Sequence, residues 1–246
     1  MKKFGLIGHP IAHSLSPALF EAGYDRRYPY DLIEEEAFDA AYSRFIDGYD
    51  GINVTAPFKE QAFAKADIVS EECRAIGAAN ILIKTPEGIK AHNSDYLGVR
   101  MWIQENMGND STKTVLVVGA GGAGKAAAAA AASLGLKTTI INRTMSKAVE
   151  WAERQGIYKY IIKPVEDFAE EFRSNDIIIY TLPVALPQIS DLDRKEIDEK
   201  AALLEANYKD PVLRENGKLW LLYQAVTGYE IFTEEKPNLR QMSDVI

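Results

Sequence analysis

Two serines near the amino terminus have a spacing that suits anion binding. Ser14 and Ser16 lie in a polar stretch that follows a short apolar run. In an extended segment, residues two apart point to the same side, so both hydroxyls could donate to one carboxylate. Ser16 also precedes a proline, and a Ser-Pro pair is a common way to begin a helix. Carboxylate binding and helix capping are therefore both open for Ser16.

A second polar set could carry acid–base chemistry. Thr55 ends an apolar run, and Lys59 stands at the start of the next helix, where a cation is disfavoured. Asn80 and Asp95 flank two β-rich runs joined by a turn at 86–88. A lysine beside a carboxylate stays protonated at neutral pH and can donate a proton. For Asp95 the alternative is helix capping.

The stretch GAGGAGKA, residues 119–126, fits two phosphate-binding motifs. Gly119, Gly121 and Gly124 form G-x-G-x-x-G, whereas Gly119, Gly124 and Lys125 form most of a P-loop. A P-loop needs a hydroxyl after its lysine to bind magnesium, and Ala126 has none. An apolar strand at 114–118 enters the stretch and a helix leaves it, as in a dinucleotide-binding turn. The pattern favours a dinucleotide.

The end of the next strand indicates which dinucleotide. The sequence Asn142-Arg143-Thr144 comes about twenty residues after the glycines, where an NAD enzyme carries an acidic residue for the ribose. Arg143 instead suits a 2′-phosphate, with Thr144 adding a hydroxyl and Lys147 adding charge. The sequence therefore favours NADP over NAD. Thr144 could also cap the following helix.

Short apolar runs alternate with helix-like stretches, which indicates an α/β fold with largely parallel sheets. Strands are predicted at 4–8, 30–33, 51–55, 81–84, 89–91, 114–118, 138–141, 158–162, 177–180 and 202–205. Helices are predicted at 17–26, 36–46, 58–66 and 96–107, from 124, from 146, and at 218–232. Polar turn formers at 108–112 mark the clearest break between two units.

Composition indicates a globular protein that avoids nucleic acid and membranes. The 246 residues are 47% hydrophobic, with 36 acidic and 28 basic side chains and a net charge of −8. This field repels polyanions, so an anionic ligand needs local donors. The single cysteine, Cys73, fits a reducing compartment, and no segment approaches the ~20 apolar residues of a membrane span. We expect a cytoplasmic protein without a metal cofactor.

Taken together, the motifs resemble one family, the shikimate dehydrogenases, which reduce 3-dehydroshikimate with NADPH. The resemblance covers the stretches 8–17, 53–59, 77–80, 93–95, 119–124, 142–144 and 223–225, in order. It implies an α/β fold with a substrate domain at 1–95, completed by helices at 218–246. A Rossmann-type doubly wound NADP-binding domain at 96–217 would lie across a cleft from it. The implied partner is a small molecule, the implied pathway is chorismate and aromatic amino acid biosynthesis, and the chain would be a monomer or homodimer.

The resemblance also implies roles for residues. The implied catalytic pair is Lys59 and Asp95, and His9, His13 and His92 are the competing acid–base candidates. Implied substrate contacts are Ser14, Ser16, Thr55, Asn80, Tyr208 and Gln224. Implied cofactor contacts are Gly119, Ala120, Gly121, Gly122, Ala123, Gly124, Asn142, Arg143, Thr144, Lys147 and Gly217. Independently, hydride transfer to a ketone leaves a developing alkoxide, which a protonated lysine can neutralise.

Three places depart from the family pattern. The family's Asn-Ala-Thr-Pro-x-Gly-Met segment is Tyr180 to Leu186 here, its Tyr-x-Pro-x-x-Thr segment is shortened to Tyr208 to Pro211, and Lys125 replaces a common arginine. Two alternatives stay open. One is a quinate/shikimate dehydrogenase with relaxed cofactor use, against which Arg143 argues. The other is a non-catalytic NADP-binding sensor, against which the retained Lys59 and Asp95 argue.

Overall fold

The chain divides into two compact units. The computed structural model describes residues 1–108, 110–208, 210–214 and 217–246. The first unit comprises Met1–Gly98 with Gln224–Ile246, and the second comprises Val99–Tyr223. The predicted boundaries, after residues 95 and 217, differ from these limits by a few residues. The chain passes from one unit to the other inside two continuous helices, and the predictions had placed both boundaries near helix ends.

The first unit contains a six-stranded mixed sheet in the order β2-β1-β3-β5-β6-β4. Its strands are β1 (Phe4–Gly8), β2 (Tyr30–Glu34), β3 (Gly51–Val54), β4 (Ile68–Val69), β5 (Ile81–Thr85) and β6 (Gly88–His92). β1 is parallel to β2 and β3, and β5 is antiparallel to β3 and β6. The predicted hairpin is therefore confirmed as β5–β6, and its residues pair from Ile81 with His92 to Thr85 with Gly88.

Helices flank this sheet and bury its apolar side chains. They are α1 (Ser16–Gly23), α2 (Phe38–Gly48), α3 (Lys59–Lys65), α4 (Glu71–Ile76) and α5 (Ser94–Met107). One core cluster joins Ile7 and Ile52 of the sheet with Phe45 of α2 and Cys73 of α4, all completely buried. Burial raises the pKa of the Cys73 thiol to about 12, so this cysteine is a packing residue at neutral pH.

The second unit contains a parallel five-stranded sheet in the order β11-β10-β7-β8-β9. Its strands are β7 (Thr114–Val118), β8 (Lys137–Ile141), β9 (Ile161–Lys163), β10 (Ile177–Tyr180) and β11 (Ala202–Glu205). Its helices are α6 (Gly122–Ser133), α7 (Met145–Gln155), α8 (Phe168–Ser174) and α9 (Arg194–Glu199). The alanines from Ala126 to Ala131 are completely buried, because their small side chains let α6 lie close to the sheet.

The carboxyl-terminal helices are α10 (Gly217–Thr233) and α11 (Leu239–Ser243). The later part of α10 belongs to the first unit and completes an aromatic core. The rings of Phe4 and Phe232 stack with centroids 5.0 Å apart, and Phe20 meets Tyr229 edge-on at 4.8 Å. Such pairs add to the stabilisation from burial alone.

The element predictions failed mainly at short segments. The strand predicted at 158–162 is Ile161–Lys163. β4, α4, α8, α9 and α11 were not predicted, because segments of two to seven residues are too short for a clear periodicity. Within the described ranges, no helix is long and apolar enough to cross a membrane.

Candidate active site

The polar stretches of the first unit meet at one edge of its sheet. Because β5 runs against β3 and β6, its start lies beside their ends and near the end of β1. The peptide N–H of Thr55 donates to Ile7 O at 3.0 Å, and that of Val54 donates to Asn80 O at 2.8 Å. Asn80 N–H donates in turn to His92 O at 3.1 Å. In open α/β sheets, ligands bind at such carboxyl ends.

Lys59 and Asp95 form an ion pair at this edge. Lys59 Nζ lies 2.6 Å from Asp95 Oδ2, and the two side chains are 25% and 8% exposed. Because bulk water is partly excluded, their attraction exceeds that of a surface pair, and the carboxylate offsets the cost of a lysine at a helix start. Asp95 is not the helix cap. Tyr96 N–H donates to Asn93 Oδ1 at 3.1 Å, so Asn93 caps α5.

Ser94 links two predicted substrate residues. Its peptide N–H donates to Asn80 Oδ1 at 2.7 Å, and its hydroxyl donates to Gln224 Oε1 at 3.1 Å. A Cβ on Gly228 would lie 3.1 Å from the Ser94 Cβ, so this glycine lets α10 approach closely. The fold thus brings Gln224 beside Asn80. The motifs did not single out Ser94, although it stands between Asn93 and Asp95.

The two predicted anion-binding serines are hydrogen-bonded to each other. The Ser14 hydroxyl donates to Ser16 Oγ at 3.1 Å, and Ser16 N–H donates to Ser14 Oγ at 3.2 Å. Helix α1 begins at Ser16 itself, with Leu15 at the N-cap position and no side-chain cap, so the capping alternative is wrong. The hydroxyl of Tyr229, inside the core, donates to Ser16 O at 3.0 Å and ties the pair to α10.

Two histidines have acidic partners of their own. His9 is half exposed, and its Nδ1 lies 3.5 Å from Glu34 Oε1. His92 Nδ1 lies 3.0 Å from Glu72 Oε1. Burial alone would raise the pKa of Glu72, but hydrogen bonds, chiefly from His92, outweigh burial and lower that pKa. His13 is exposed on the loop before α1.

The glycine loop of the second unit combines close packing with open positions. Gly119 has a φ of +101°, a conformation that favours glycine, and a Cβ on Gly124 would lie 1.9 Å from Gly119 O. Apart from the adjoining backbone, no atom of the described residues lies within 4 Å of a Cβ on Gly121 or Gly122. Gly119 and Gly124 are therefore required by the fold, whereas Gly121 and Gly122 leave space beside the amino terminus of α6. That terminus favours an anion.

The end of β8 places its polar residues next to this loop. Asn142 Oδ1 accepts from Ala120 N–H at 3.1 Å, and its Nδ2 donates to Thr144 O at 2.9 Å. Asn142 thereby joins the glycine loop to the segment that follows β8. Arg143, Thr144 and Lys147 are exposed there. Thr144 occupies the N-cap position of α7 but makes no side-chain cap, so the capping alternative has no support.

The segment after β10 has its own internal support. The Tyr180 hydroxyl donates to Val184 O at 2.8 Å and accepts from Leu186 N–H at 3.1 Å. Burial raises the pKa of Tyr180 to about 12, so this hydroxyl stays protonated. Thr181 Oγ1 donates to Val118 O at 2.8 Å beside Gly119. The departure from the family pattern is thus an ordered turn.

The segment after β11 carries the remaining predicted residues. Glu205, completely buried, accepts hydrogen bonds from the peptide N–H groups of Val212, Leu213 and Arg214. Tyr208 is half-buried, which raises the pKa of its hydroxyl. A Cβ on Gly217 would lie 2.2 Å from Asn207 O, so close packing explains this glycine. Lys209 of the shortened family segment lies outside the described residues.

Metal-ligating side chains do not converge in the described ranges. There, no group of three or more histidine, cysteine, aspartate or glutamate side chains could hold a metal ion. Two acidic side chains near the first sheet edge instead pair with basic neighbours, Glu72 with His92 and Asp95 with Lys59.

Comparison with known proteins identifies the family. The protein-family model described as "Shikimate dehydrogenase substrate binding domain" matches residues 6–82, and the family model "Shikimate / quinate 5-dehydrogenase" matches residues 102–203. A shikimate dehydrogenase (NADP(+)) of Methanococcus maripaludis is 31% identical, over 100% of this chain and 96% of its own. One of Carboxydothermus hydrogenoformans is 30% identical over the same shares. The chain belongs to the shikimate dehydrogenase family.

Solved structures agree with this assignment. Shikimate 5-dehydrogenase from Thermus thermophilus, in complex with NADP(H) and shikimate, has a TM-score of 0.84 at 28% identity. The match covers 100% of this chain and 98% of that one. A quinate dehydrogenase from Corynebacterium glutamicum, in complex with NAD, has a TM-score of 0.83 at 22% identity and shows the fold alone. The predicted family, α/β fold and oxidoreductase class are confirmed, and NADP is the cofactor named for the family relatives.

Proposed function

We propose that this shikimate dehydrogenase family member catalyses the reversible reduction of 3-dehydroshikimate to shikimate with NADPH. The observation that carries the proposal is the Lys59–Asp95 ion pair, 2.6 Å long and partly buried at the ligand edge of the first sheet. An ordinary surface ion pair would be exposed to water on both sides and would not lie among the polar residues at the strand ends. The reaction belongs to the synthesis of chorismate and aromatic amino acids, which is the pathway role we propose.

Lys59 acts on the oxygen of the substrate carbonyl. NADPH, when bound, supplies the hydride. As negative charge develops on the carbonyl oxygen, the Lys59 ammonium donates a proton to it. Asp95 orients Nζ through the ion pair and balances its positive charge. In the reverse direction, the pair accepts the hydroxyl proton of shikimate.

The other polar residues of this edge would hold the substrate in place. Ser14 and Ser16 have adjacent hydroxyls, which suit the two oxygens of a carboxylate. Asn80, Gln224 and Thr55 would hydrogen-bond the ring oxygens. Thr55 follows the end of β3, Asn80 precedes the start of β5 and Gln224 lies on α10, which supports this role. Tyr208 remains a predicted substrate contact.

The second unit has groups that fit NADP. The space beside Gly121 and Gly122, at the start of the 12-residue helix α6, suits a pyrophosphate. Arg143, Thr144 and Lys147 would bind the 2′-phosphate, and Asn142 would keep their segment next to the loop. This set favours NADPH over NADH, which argues against a relaxed cofactor preference.

Lys59→Ala tests the proposal. Loss of the group that exchanges a proton with the substrate oxygen should lower kcat for shikimate oxidation by roughly 10²-fold or more while leaving NADPH affinity nearly unchanged. The control is Lys65→Ala, which removes an exposed lysine from the last turn of the same helix and should leave kcat unchanged. Absorbance of NADPH measures turnover, and its fluorescence measures binding.

Two outcomes would contradict parts of the proposal. Wild-type turnover of shikimate by Lys59→Ala would remove Lys59 from the mechanism. Absence of turnover by the wild-type protein, with shikimate and quinate offered with NADP and NAD, would favour an NADP-binding sensor. A higher kcat/KM for quinate than for shikimate would change the substrate and leave the reaction class intact.

A further inference from the structure

Glu205 is a completely buried acidic residue that the proposed mechanism does not use. It is the last residue of β11 and lies beside Tyr180, the last residue of β10. Its Oε1 accepts from the peptide N–H of Val212, and its Oε2 accepts from those of Leu213 at 3.0 Å and Arg214 at 3.2 Å. A peptide N–H can only donate, so both side-chain oxygens must accept. An ionised carboxylate meets this requirement, and a glutamine amide, with one oxygen, does not.

These bonds close the segment after β11 into a loop. The chain leaves the sheet at Glu205 and returns to the same carboxylate seven residues later. Inside the loop, Asn207 Nδ2 donates to Asp210 O at 2.6 Å, and Asp210 N–H donates to Asn207 Oδ1 at 3.3 Å. Tyr208 is a half-buried residue of this inner turn. Its position therefore depends on a loop that the buried carboxylate holds shut.

Neighbouring segments contact the closed loop. Asn207 Nδ2 also donates to Pro183 O at 3.4 Å, in the turn that the Tyr180 hydroxyl supports. A Cβ on Gly217 would lie 2.6 Å from Tyr208 Cα, so the start of α10 packs against the backbone of Tyr208. These contacts exist only while the loop is closed.

The far end of the loop is fixed to α9. The guanidinium Nη2 of Arg214 donates to Asp198 O at 2.8 Å and to Lys200 O at 3.1 Å. The peptide N–H of the same arginine binds Glu205, so one residue joins the carboxylate to the end of this helix.

We propose that Glu205 is a positioning residue that holds Tyr208 in the conformation in which it contacts the substrate. The inference rests on the proposed function, in which Tyr208 is a substrate contact. Burying a carboxylate is costly, and here three peptide N–H groups offset that cost. Loss of one acceptor oxygen would leave buried N–H groups without a partner, so the loop would open and Tyr208 would be displaced.

Glu205→Gln separates this role from general stability. The variant keeps the size of the side chain and turns an NH2 group toward a peptide N–H. We expect KM for shikimate to rise about tenfold, with kcat within about threefold and KM for NADP⁺ unchanged. Glu171→Gln is the matched control, because Glu171 is another buried carboxylate of the second unit and its Oε2 accepts from Asn175 Nδ2 at 3.0 Å. It should lower Tm and leave KM for shikimate unchanged.

A double-mutant cycle shows whether Glu205 acts through Tyr208. In a Tyr208→Phe background, Glu205→Gln should have little further effect on KM for shikimate, because the hydroxyl that it positions is already absent. Independent losses in the two variants would overturn the inference. An unchanged KM for shikimate in Glu205→Gln, or an equal rise in KM for NADP⁺, would also overturn it.

Val212→Pro tests the same loop if Glu205→Gln does not fold. It removes one of the three N–H donors and keeps the carboxylate. KM for shikimate should rise about threefold, a smaller effect because two of the three bonds remain. An unchanged KM in this variant would overturn the inference.

The two proposals fail in different ways. A wild-type protein that does not oxidise shikimate refutes the proposed function. A wild-type protein that does, combined with a Glu205→Gln variant of unchanged KM, refutes only the inference about Glu205.

Discussion

The proposed ligand-binding edges of the two sheets are organised in different ways, one by side chains and the other by backbone. At the first sheet, side chains bind one another, as in the Lys59–Asp95 ion pair and the Ser94–Gln224 hydrogen bond. At the second sheet, the backbone is fitted closely at Gly124, and the charged residue Arg143 is exposed. The first edge is therefore a network of coupled side chains, and the second is a shaped backbone with separate charges.

This difference predicts how each edge responds to substitution. Coupled side chains should lose function together, because removing one leaves its partner misplaced or unpaired. Exposed charges on a fixed backbone should act almost independently, and their contribution to ligand binding should weaken with added salt. Substitutions at both edges can therefore test whether the side chains of each edge act together or separately.

The largest effect is expected for Asp95→Asn. The neutral amide keeps the size of the carboxylate but cannot balance the charge of Lys59, so kcat should fall by roughly 10²-fold. Asp176→Asn is the matched control. Asp176 Oδ1 also binds a lysine, Lys113, at 3.0 Å, but this pair lies at the amino ends of the strands of the second sheet, away from the glycine loop. It should lower Tm and leave kcat unchanged. Equal kcat for Asp95→Asn and wild type would show that Lys59 does not depend on Asp95.

The two kinds of glycine in the loop should separate stability from binding. Gly124→Ala places a Cβ against Gly119 O, so the free energy of unfolding should fall by about 1–3 kcal/mol, measured by urea titration. Gly121→Ala has open space and should leave stability unchanged while weakening NADPH binding. Equal stability losses in the two variants would mean that Gly121 is also a packing residue.

Arg143→Ala tests the separate charges of the second edge. KM for NADPH should rise about tenfold, because a bidentate phosphate contact is lost, while KM for NADH stays the same. The difference should shrink at high salt. Arg154→Ala removes an exposed arginine from the last turn of α7, the helix that follows Arg143, and as the control it should affect neither cofactor. An equal rise for NADPH and NADH would show that Arg143 does not contact the 2′-phosphate.

The smallest effect concerns the Glu72–His92 pair, which the proposed mechanism does not use. The pKa of Glu72 is lowered in the folded state, so its contribution to stability is present above the ordinary glutamate pKa of 4.5. That contribution is lost as pH falls through the lowered folded value. Glu72→Gln should therefore be less stable than wild type at pH 7, by less than Gly124→Ala, and equally stable at strongly acidic pH. Urea titrations at both pH values check this, and a difference independent of pH would contradict it.

The sequence predicted long, apolar elements better than short ones. β7 and β10 were placed correctly because continuous apolar residues are typical of strands covered on both faces. The six-residue helix α4 gave no periodic signal. The capping alternative for Asp95 could not be decided from the sequence, because Asp95 and Asn93 both suit a helix start, and only the structure shows that Asn93 accepts the bond.

The candidate site was predictable in its residue types but not in its connections. Lys59 and Asp95 were paired through family resemblance, and their 2.6 Å separation depends on an antiparallel hairpin between them. The bond from Ser94 to Gln224 joins residues 130 positions apart, a distance at which local patterns carry no information. Long-range partners of this kind are set by topology.

The stacked rings of Phe4 and Phe232 also matter for synthesis on the ribosome. Phe4 lies on β1, and its partner is translated only after the whole second unit. Residues 99–223 are contiguous and can complete their core during elongation, whereas the first unit completes its aromatic core only once α10 has been made. A nascent chain stalled before α10 would therefore leave Phe4 and Phe20 without their ring partners, so the first unit, although it begins the chain, would be the last to complete its core.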